Sequence, residues 1–186
     1  MIFARSAAPA ARFARGAAAA LAGSALLYLS AQIAVPANPF WGVPFTLQTL
    51  AIPVLVALLG RDLAVCAVVA YLLEGASGLP VFQGHAGGLA RFVGPTATTA
   101  GYLLAFPFAA YAIGTLYRAG LGRRYLTRFA AALAGAAIVI GCGALALYGF
   151  FFHDAAATLA AGVAPFVAAE VLKAAVAAAV PPRETL

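Results

Sequence analysis

The sequence predicts an all-α protein, an integral membrane bundle of six helices. Of its 186 residues, 65% are hydrophobic and 9% are charged, and the mean hydropathy is +1.01. A soluble domain usually carries about 25% charged residues. The apolar residues form long unbroken runs and not the short alternating segments of an outer-membrane barrel, so the spans are predicted to be helices in a lipid bilayer.

Prolines and glycines divide the apolar runs into six predicted spans of one membrane domain, residues 1–186. The first run ends at Pro36, Pro39 and Pro44, and it is longer than the core of a secretory signal, so we expect a retained helix. The second and third spans are short for a full crossing, as is common beside the binding site of a transporter. The spans are 16–35, 46–60, 62–75, 97–117, 129–150 and 155–180.

The distribution of charge predicts that both termini are cytoplasmic. With six crossings, the inner segments hold nine of the eleven basic residues, and the outer loops hold Arg91, Glu74 and Asp154. This bias follows the positive-inside rule and requires an even number of crossings. The net charge of +6 is therefore attributed to helix orientation, and no nucleic-acid partner is expected.

The last span contains two charged residues, Glu170 and Lys173, in an otherwise apolar helix. A charged side chain near the bilayer centre costs roughly 2.5–3.5 kcal/mol, and such residues usually face a bundle interior or a cavity. Three positions apart, the two side chains share one helix face. The pair is predicted either to meet a polar ligand or to form a purely structural ion pair.

The cysteines and one serine are further candidates for chemistry. Cys66 and Cys142 lie in apolar segments without metal-type spacing, which predicts buried, unpaired thiols. The segment GASG, 75–78, resembles the nucleophile motif of intramembrane serine proteases, but such a serine needs a histidine base in a neighbouring span. Both histidines, His85 and His153, fall in predicted outer loops, so no enzyme is predicted. A ligand-free structural subunit is the other alternative.

Three segments together resemble one family. They are AQIAVPANPFWGVPFTLQTLA (31–51), GLPVFQGHAGGLARFVGPT (78–96) with AGYLLAFPFAAYAIG (100–114), and PFVAAEVLKAA (165–175). The chain is similar to the BioY family, the biotin-specific substrate-binding subunits of energy-coupling-factor transporters. The resemblance implies a bacterial inner-membrane bundle that binds biotin near its outer face. It also implies a transmembrane coupling subunit and two cytoplasmic ATPases as partners, while action alone or as a homodimer stays open.

The resemblance also implies a set of ligand-binding residues. In the family an aspartate and a lysine contact the ligand head, and Glu170 and Lys173 occupy these positions here. The carboxylate can accept from the ureido N–H groups of biotin, and the ammonium can donate to its carbonyl. The further candidates are Phe82 in the GLPVF segment, Tyr102 in the GY match, and Gln48 and Thr46 at the start of the second span. For Thr46, a helix-capping role is the alternative.

The glycine-rich loop is expected to fold over the ligand as a lid. Gly87 and Gly88 would allow close approach of the backbone, although an ordinary connector has a similar composition. His85 is an unusual polar insertion, either a ligand contact or a solvated loop residue. Arg91 is the candidate for the biotin carboxylate, with a snorkelling interface residue as its alternative. Some relatives carry an arginine after the tyrosine, where Leu103 stands here.

Overall fold

The structure is a computed structural model that describes residues 9–35 and 43–183. Within these residues the chain forms an all-α bundle of six helices, as predicted, and the sixth is broken in two. The helices are α1 (Pro9–Gln32), α2 (Gln48–Leu59), α3 (Arg61–Ala76), α4 (Ala100–Leu116), α5 (Tyr125–Leu147), α6 (Ala155–Gly162) and α7 (Ala164–Ala178). Single π-helical turns extend α4 over Tyr117–Leu121 and α5 over Tyr148–Phe152.

The first helix lies earlier in the chain than the predicted span 16–35. It already includes Pro9, and its first turns carry the exposed arginines Arg12 and Arg15 ahead of the apolar run. At its other end the chain leaves the helix after Gln32 and forms a short antiparallel pair of strands, β1 (Ala34–Val35) and β2 (Phe45–Thr46). Pro36 and Pro39, which were expected to end this helix, lie outside the described residues.

Among the described residues, four helices are long and apolar enough to cross a membrane: 10–32, 100–121, 125–152 and 155–178. The second helix has 12 residues, and at about 1.5 Å per residue it rises only about 18 Å, short of the roughly 30 Å hydrocarbon core. Large apolar side chains on the outside of the bundle, such as Leu145 and Phe108, are well exposed. These outward apolar faces are those of a membrane protein.

Two predictions about individual residues need correction. Cys66 and Cys142 are free, but both are exposed on the outside of the bundle and not buried; in a membrane protein an outward position faces lipid, so an apolar sequence context does not imply burial. Glu74, assigned to an outer loop, lies inside α3 and accepts a hydrogen bond from the buried Ser24 hydroxyl of α1.

The sixth helix breaks at Val163, which has φ −126° and ψ −64°. Pro165 follows two residues later and cannot donate to the helix ladder, so the chain starts a new helix, α7, at this point. The break places α7 beside α2 and α5. It thereby turns one face of α7, which carries Glu170 and Lys173, into the bundle.

Glycine sets the close approach of two helix pairs. A Cβ at Gly101 of α4 would lie 2.7 Å from the Cys142 carbonyl oxygen and 3.2 Å from the Gly143 Cα of α5. A Cβ at Gly23 of α1 would lie 2.7 Å from the Ala67 Cβ of α3. Small residues at such positions let helix backbones approach closely in membranes.

Candidate functional site

A cavity of about 210 Å³ opens at the end of the bundle where α2 and α4 begin. A cavity of roughly 10–15 Å³ already holds one water, so this cavity has room for a small organic molecule. Its walls come from β2, α2, the α3–α4 loop, α4, α5 and α7. Most of the lining is apolar or aromatic, contributed by Val43, Pro44, Phe82, Tyr102, Leu103, Phe106, Val139, Ile140 and Phe166.

The polar centre of the cavity is a closed group of three side chains. Lys173 Nζ lies 2.7 Å from Glu170 Oε1 and donates a 3.1 Å hydrogen bond to Thr49 Oγ1. The Thr49 hydroxyl donates in turn to Glu170 Oε1 at 2.8 Å. Glu170 is 4% exposed and Lys173 is 9% exposed. Because a buried charge is costly without a partner, this mutual pairing is what allows both charges inside the bundle.

The group still has unused hydrogen-bonding capacity. A lysine ammonium has three N–H donors, and two of those of Lys173 are used within the group. A carboxylate offers about four acceptor positions, and within the described residues both hydrogen bonds to Glu170 go to Oε1. One donor and several acceptor positions are therefore available to a molecule in the cavity.

Tyr102 is held rigidly in the cavity wall. Its hydroxyl donates a 2.7 Å hydrogen bond to the Gly162 carbonyl oxygen, at the break between α6 and α7. Its ring lies against Gly143 of α5, where a Cβ would come closer than 3.0 Å to the ring atoms. Phe166 packs beside it with ring centroids 6.1 Å apart, and Phe45 stacks on Phe166 at 4.4 Å. The aromatic wall is thus fixed by packing on both sides.

Gln48 belongs to a second polar chain at the start of α2. Its amide nitrogen donates to Tyr71 Oη at 2.8 Å, and Tyr71 donates to the Val81 carbonyl oxygen at 3.2 Å. Thr46 donates to Gln48 Oε1 at 3.1 Å and accepts from the Gln48 backbone N–H at 3.4 Å. Thr46 therefore binds the first turn of α2 while it also lines the cavity. This series of hydrogen bonds connects the α3–α4 loop to α2.

Arg91 lies in the α3–α4 loop, on a single 3₁₀ turn, Leu89–Arg91, and lines the cavity. Among the described residues, three charged side chains line the cavity, namely Arg91, Glu170 and Lys173. Their charges leave one net positive charge, and no hydrogen bond or ion pair to another described residue engages the Arg91 guanidinium. The cavity is therefore electrostatically suited to a molecule with one negative charge.

Three predicted candidates do not line the cavity. His85 has a left-handed backbone (φ 56°), and its ring lies 3.4 Å from the Tyr28 hydroxyl. Gly88 has φ 93°, and its N–H donates to the Gly75 carbonyl oxygen at 2.7 Å. A Cβ at Gly87 would lie 2.9 Å from the Gly78 carbonyl. Gly87 and Gly88 hold the α3–α4 loop on the end of α3, whereas His85 ties it to α1, and none of the three lines the cavity.

The other seven candidates line the cavity: Thr46, Gln48, Phe82, Arg91, Tyr102, Glu170 and Lys173. Sequence reasoning missed Thr49, although it lies in the PFTLQTLA segment next to Gln48. It also missed Gln83, Phe106, Phe166, Thr98 and Thr99. The two threonines stand in the segment GPTATTAGY (94–102), where two adjacent hydroxyls before Tyr102 were the available signal. No signal distinguished Phe106 and Phe166 from other core aromatics.

Serine-protease geometry is absent from the described part of the chain. The Ser77 hydroxyl donates to the Glu74 carbonyl oxygen at 2.7 Å, and the His85 ring is engaged by Tyr28. Apolar helices around a mainly apolar cavity with a buried ion pair define a helical membrane protein that encloses a small-molecule cavity, and not a protease.

Comparisons with known proteins narrow this class. A model of the BioY family matches residues 5–184. The biotin transporter BioY of Thermotoga maritima is 37% identical over 155 residues, which cover 83% of this chain and 86% of that protein. The probable biotin transporter BioY of Pyrococcus horikoshii is 38% identical over 156 residues, 82% of this chain and 85% of that one. This chain belongs to the BioY family, and it is not an enzyme.

A solved structure has the same fold. The crystal structure of the S-component for biotin from an ECF-type ABC transporter superimposes with a TM-score of 0.81. The superposition covers 94% of this chain and 92% of the solved chain, and the two sequences are 24% identical. This likeness supports the six-helix fold at the level of architecture.

Proposed function

We propose that this chain binds biotin in the cavity and serves as the membrane subunit of a biotin uptake system. The observation that carries the proposal is the buried Glu170–Lys173–Thr49 group. This group keeps free donor and acceptor positions inside a cavity of about 210 Å³, which has room for a small organic molecule. The BioY family model matches residues 5–184, which include every residue that lines the cavity, and the relatives named as biotin transporters align with more than four-fifths of the chain.

The two ends of biotin match the two polar regions of the cavity. A ureido ring presents one carbonyl acceptor and two N–H donors, which complement Lys173 and Glu170 respectively. The valerate carboxylate supplies the negative charge that the cavity lacks, and Arg91 with the hydroxyls of Thr98 and Thr99 forms its counterpart. The aromatic wall packs against the thioether ring and the aliphatic chain. Glutamate is one methylene longer than the aspartate of the family, so the ureido ring sits correspondingly farther from α7.

Gly87, Gly88 and His85 act on the ligand only through the loop. Gly87 and Gly88 fix the α3–α4 loop on the end of α3, His85 fixes it on α1, and the same loop carries Phe82 and Arg91 into the cavity. In this proposal their role is to place those two side chains.

Energised transport requires partners. The only lysine of the chain is Lys173, followed by two alanines, so the sequence lacks the Gly-Lys-Ser/Thr of a phosphate-binding loop. We propose that a transmembrane coupling subunit and two cytoplasmic ATPases supply the energy, in the bacterial inner membrane with both termini cytoplasmic. Titration of the purified chain with those subunits, followed by size-exclusion chromatography, tests the assembly and shows whether the free chain is a monomer or a homodimer.

Biotin binding tests the proposal directly. The full chain is purified in mild detergent without added vitamin and is then incubated with radiolabelled biotin. We expect the chain to retain the labelled biotin at a 1:1 ratio, and excess unlabelled biotin to displace it. Thiamine and riboflavin at the same excess serve as controls and should not displace the label. Absence of retained biotin from a chain that still unfolds cooperatively would favour the ligand-free structural subunit instead.

Arg91→Gln is expected to weaken biotin binding about tenfold, because a charge-assisted contact to the carboxylate is worth roughly 1.5–3 kcal/mol in a shielded site. The matched probe is biotin methyl ester, which has no carboxylate charge. The wild-type chain should bind the ester more weakly than biotin, whereas the Arg91→Gln variant should bind both alike. Isothermal titration of both ligands with both proteins gives the coupling free energy between the Arg91 side chain and the biotin carboxylate. Equal loss for biotin and ester would contradict a contact between Arg91 and the carboxylate.

A further inference from the structure

A second cavity, the basic pocket, lies at the opposite end of the bundle. The first cavity surrounds the start of α2, whereas the basic pocket lies where α2 ends, between the end of α4, the starts of α3 and α5, and the segment after α7. Its volume is about 580 Å³. Five arginines line it: Arg61, Arg118, Arg123, Arg128 and Arg183.

Most of the charge in the basic pocket is not neutralised within the described residues. Asp62 pairs with Arg61 at 2.9 Å and with Arg118 at 2.7 Å, and those are its two ion pairs. Arg128 donates to the backbone carbonyl oxygens of Ala178 and Gly122 at 2.7 Å and 3.2 Å, which hold it in place but do not cancel its charge. In the described part of the chain, the guanidinium groups of Arg123 and Arg183 have neither a hydrogen bond nor an ion pair.

The basic pocket also contains an orphaned polar atom. The Tyr117 hydroxyl is buried, and it has no hydrogen-bond partner among the described residues. Leaving a buried hydroxyl unpaired costs free energy, so this group is open to a hydrogen bond from a molecule in the pocket. It lines the same cavity as the five arginines.

The walls of the basic pocket are fixed by close packing. A Cβ at Gly114 would come within 2.8 Å of the Arg61 Cα, and a Cβ at Gly122 would lie 2.9 Å from Pro182 Cγ. The backbone N–H of Arg183 donates to the Ala57 carbonyl oxygen at 2.8 Å, which holds the segment after α7 against the end of α2. The packing therefore gives the basic pocket fixed backbone walls, while the side chains of Arg123 and Arg183 are exposed.

We propose that the basic pocket binds the phosphate headgroup of an anionic phospholipid. An arginine guanidinium group can donate two parallel hydrogen bonds to two phosphate oxygens. Basic pockets between membrane helices bind anionic headgroups. A lipid is favoured over a soluble phosphate by the adjoining surface. The Arg61 guanidinium lies 4.6 Å above the ring of Tyr111, and Tyr111, Phe108 and Leu104 form an exposed apolar stripe on one face of α4. An acyl chain can lie along this stripe while its phosphate enters the pocket.

Native mass spectrometry and thermal unfolding of the purified full chain test this proposal. The probes are dioleoylphosphatidylglycerol, dioleoylphosphatidylcholine and inorganic phosphate. We expect the chain to retain phosphatidylglycerol in preference to phosphatidylcholine. The double variant Arg123→Gln/Arg183→Gln should bind it about tenfold or more weakly, because each basic residue near a lipid phosphate adds several-fold to affinity.

The matched control is Arg15→Gln/Arg124→Gln, which removes the same charge from exposed arginines outside the basic pocket and should leave phosphatidylglycerol binding intact. Tyr117→Phe tests the orphaned hydroxyl without a change in charge: it should reduce the stabilisation by phosphatidylglycerol while the lipid-free protein unfolds at the same or a higher temperature. Equal retention of both lipids, or equal loss in the control, would overturn the proposal. Equal stabilisation by inorganic phosphate would overturn the assignment to a lipid. Because this pocket is separate from the first cavity, neither result depends on biotin binding.

Discussion

Lys173→Ala is expected to weaken biotin binding at least about a hundredfold. Lys173 supplies the free donor of the buried group, and its removal also leaves Glu170, which is 4% exposed, as an unpaired buried carboxylate. Breaking a buried ion pair from one side costs roughly 3–5 kcal/mol, which corresponds to two or three orders of magnitude in affinity if it is felt in the bound state. The measurement is equilibrium binding of labelled biotin, paired with thermal unfolding to show that the variant is folded.

The companion variants separate ligand contact from structural pairing. Glu170→Gln keeps a carbonyl acceptor of the same shape, so it should lose less affinity than Glu170→Ala. The double variant Glu170→Ala/Lys173→Ala leaves no buried charge and should unfold at a higher temperature than Lys173→Ala alone. Arg15→Ala, an exposed basic residue of α1, is the control and should bind biotin normally. Unchanged biotin affinity in both single alanine variants would reduce the pair to a structural ion pair.

Gly101→Ala is expected to push α4 away from α5 and to destabilise the bundle strongly. The added Cβ would meet the Cys142 carbonyl oxygen at 2.7 Å and the Gly143 Cα at 3.2 Å. Because both of these are backbone atoms, no side-chain rotation can relieve the contact, and α4 must move away from α5. Overpacking typically costs about 1–3 kcal/mol and sometimes more. Since Tyr102 is the next residue and rests on Gly143, biotin affinity should fall together with the unfolding temperature.

The control lies on the partner helix, at Gly141. A Cβ there has nothing within 4 Å, and alanine is a better helix former than glycine by up to about 1 kcal/mol. Gly141→Ala should therefore keep or raise the unfolding temperature and leave biotin binding unchanged. A Gly101→Ala variant as stable as Gly141→Ala would show that the two helices can separate at no cost and that the close contact is not required.

The sequence predicted those parts of the protein that depend on local patterns. The six helices follow from apolar runs and their glycine and proline boundaries, and Glu170 with Lys173 stands out because charge is costly in an apolar helix. Thr49 could not be found in the same way, because its hydroxyl acquires a role only through a contact with a residue 121 positions later. A threonine in an apolar helix is common and carries no such signal by itself.

The α3–α4 loop shows a second kind of feature that the sequence does not predict, namely the role of its glycines. Its glycines predicted either a lid over the ligand or an ordinary connector. In the structure Gly88, with its positive φ, donates to the end of α3, and Gly87 fits tightly against the backbone just after α3. The lid stays a prediction. Composition reveals that special backbone geometry is needed, but not what the geometry is for. The start of α1 was predicted too late for a related reason, since a helix can extend into a charged turn beyond the membrane without any change in apolar pattern.

The pairing of Glu170 with Lys173 one turn apart has a consequence for how the protein is made. An isolated charge in the last helix would have to enter the bilayer before its partner on another helix was in place, at a cost of roughly 2.5–3.5 kcal/mol for each group. With both charges on α7, the ion pair of 2.7 Å forms within the segment itself. The helix can therefore be inserted as a neutral unit, and Thr49 joins the pair only when the bundle closes.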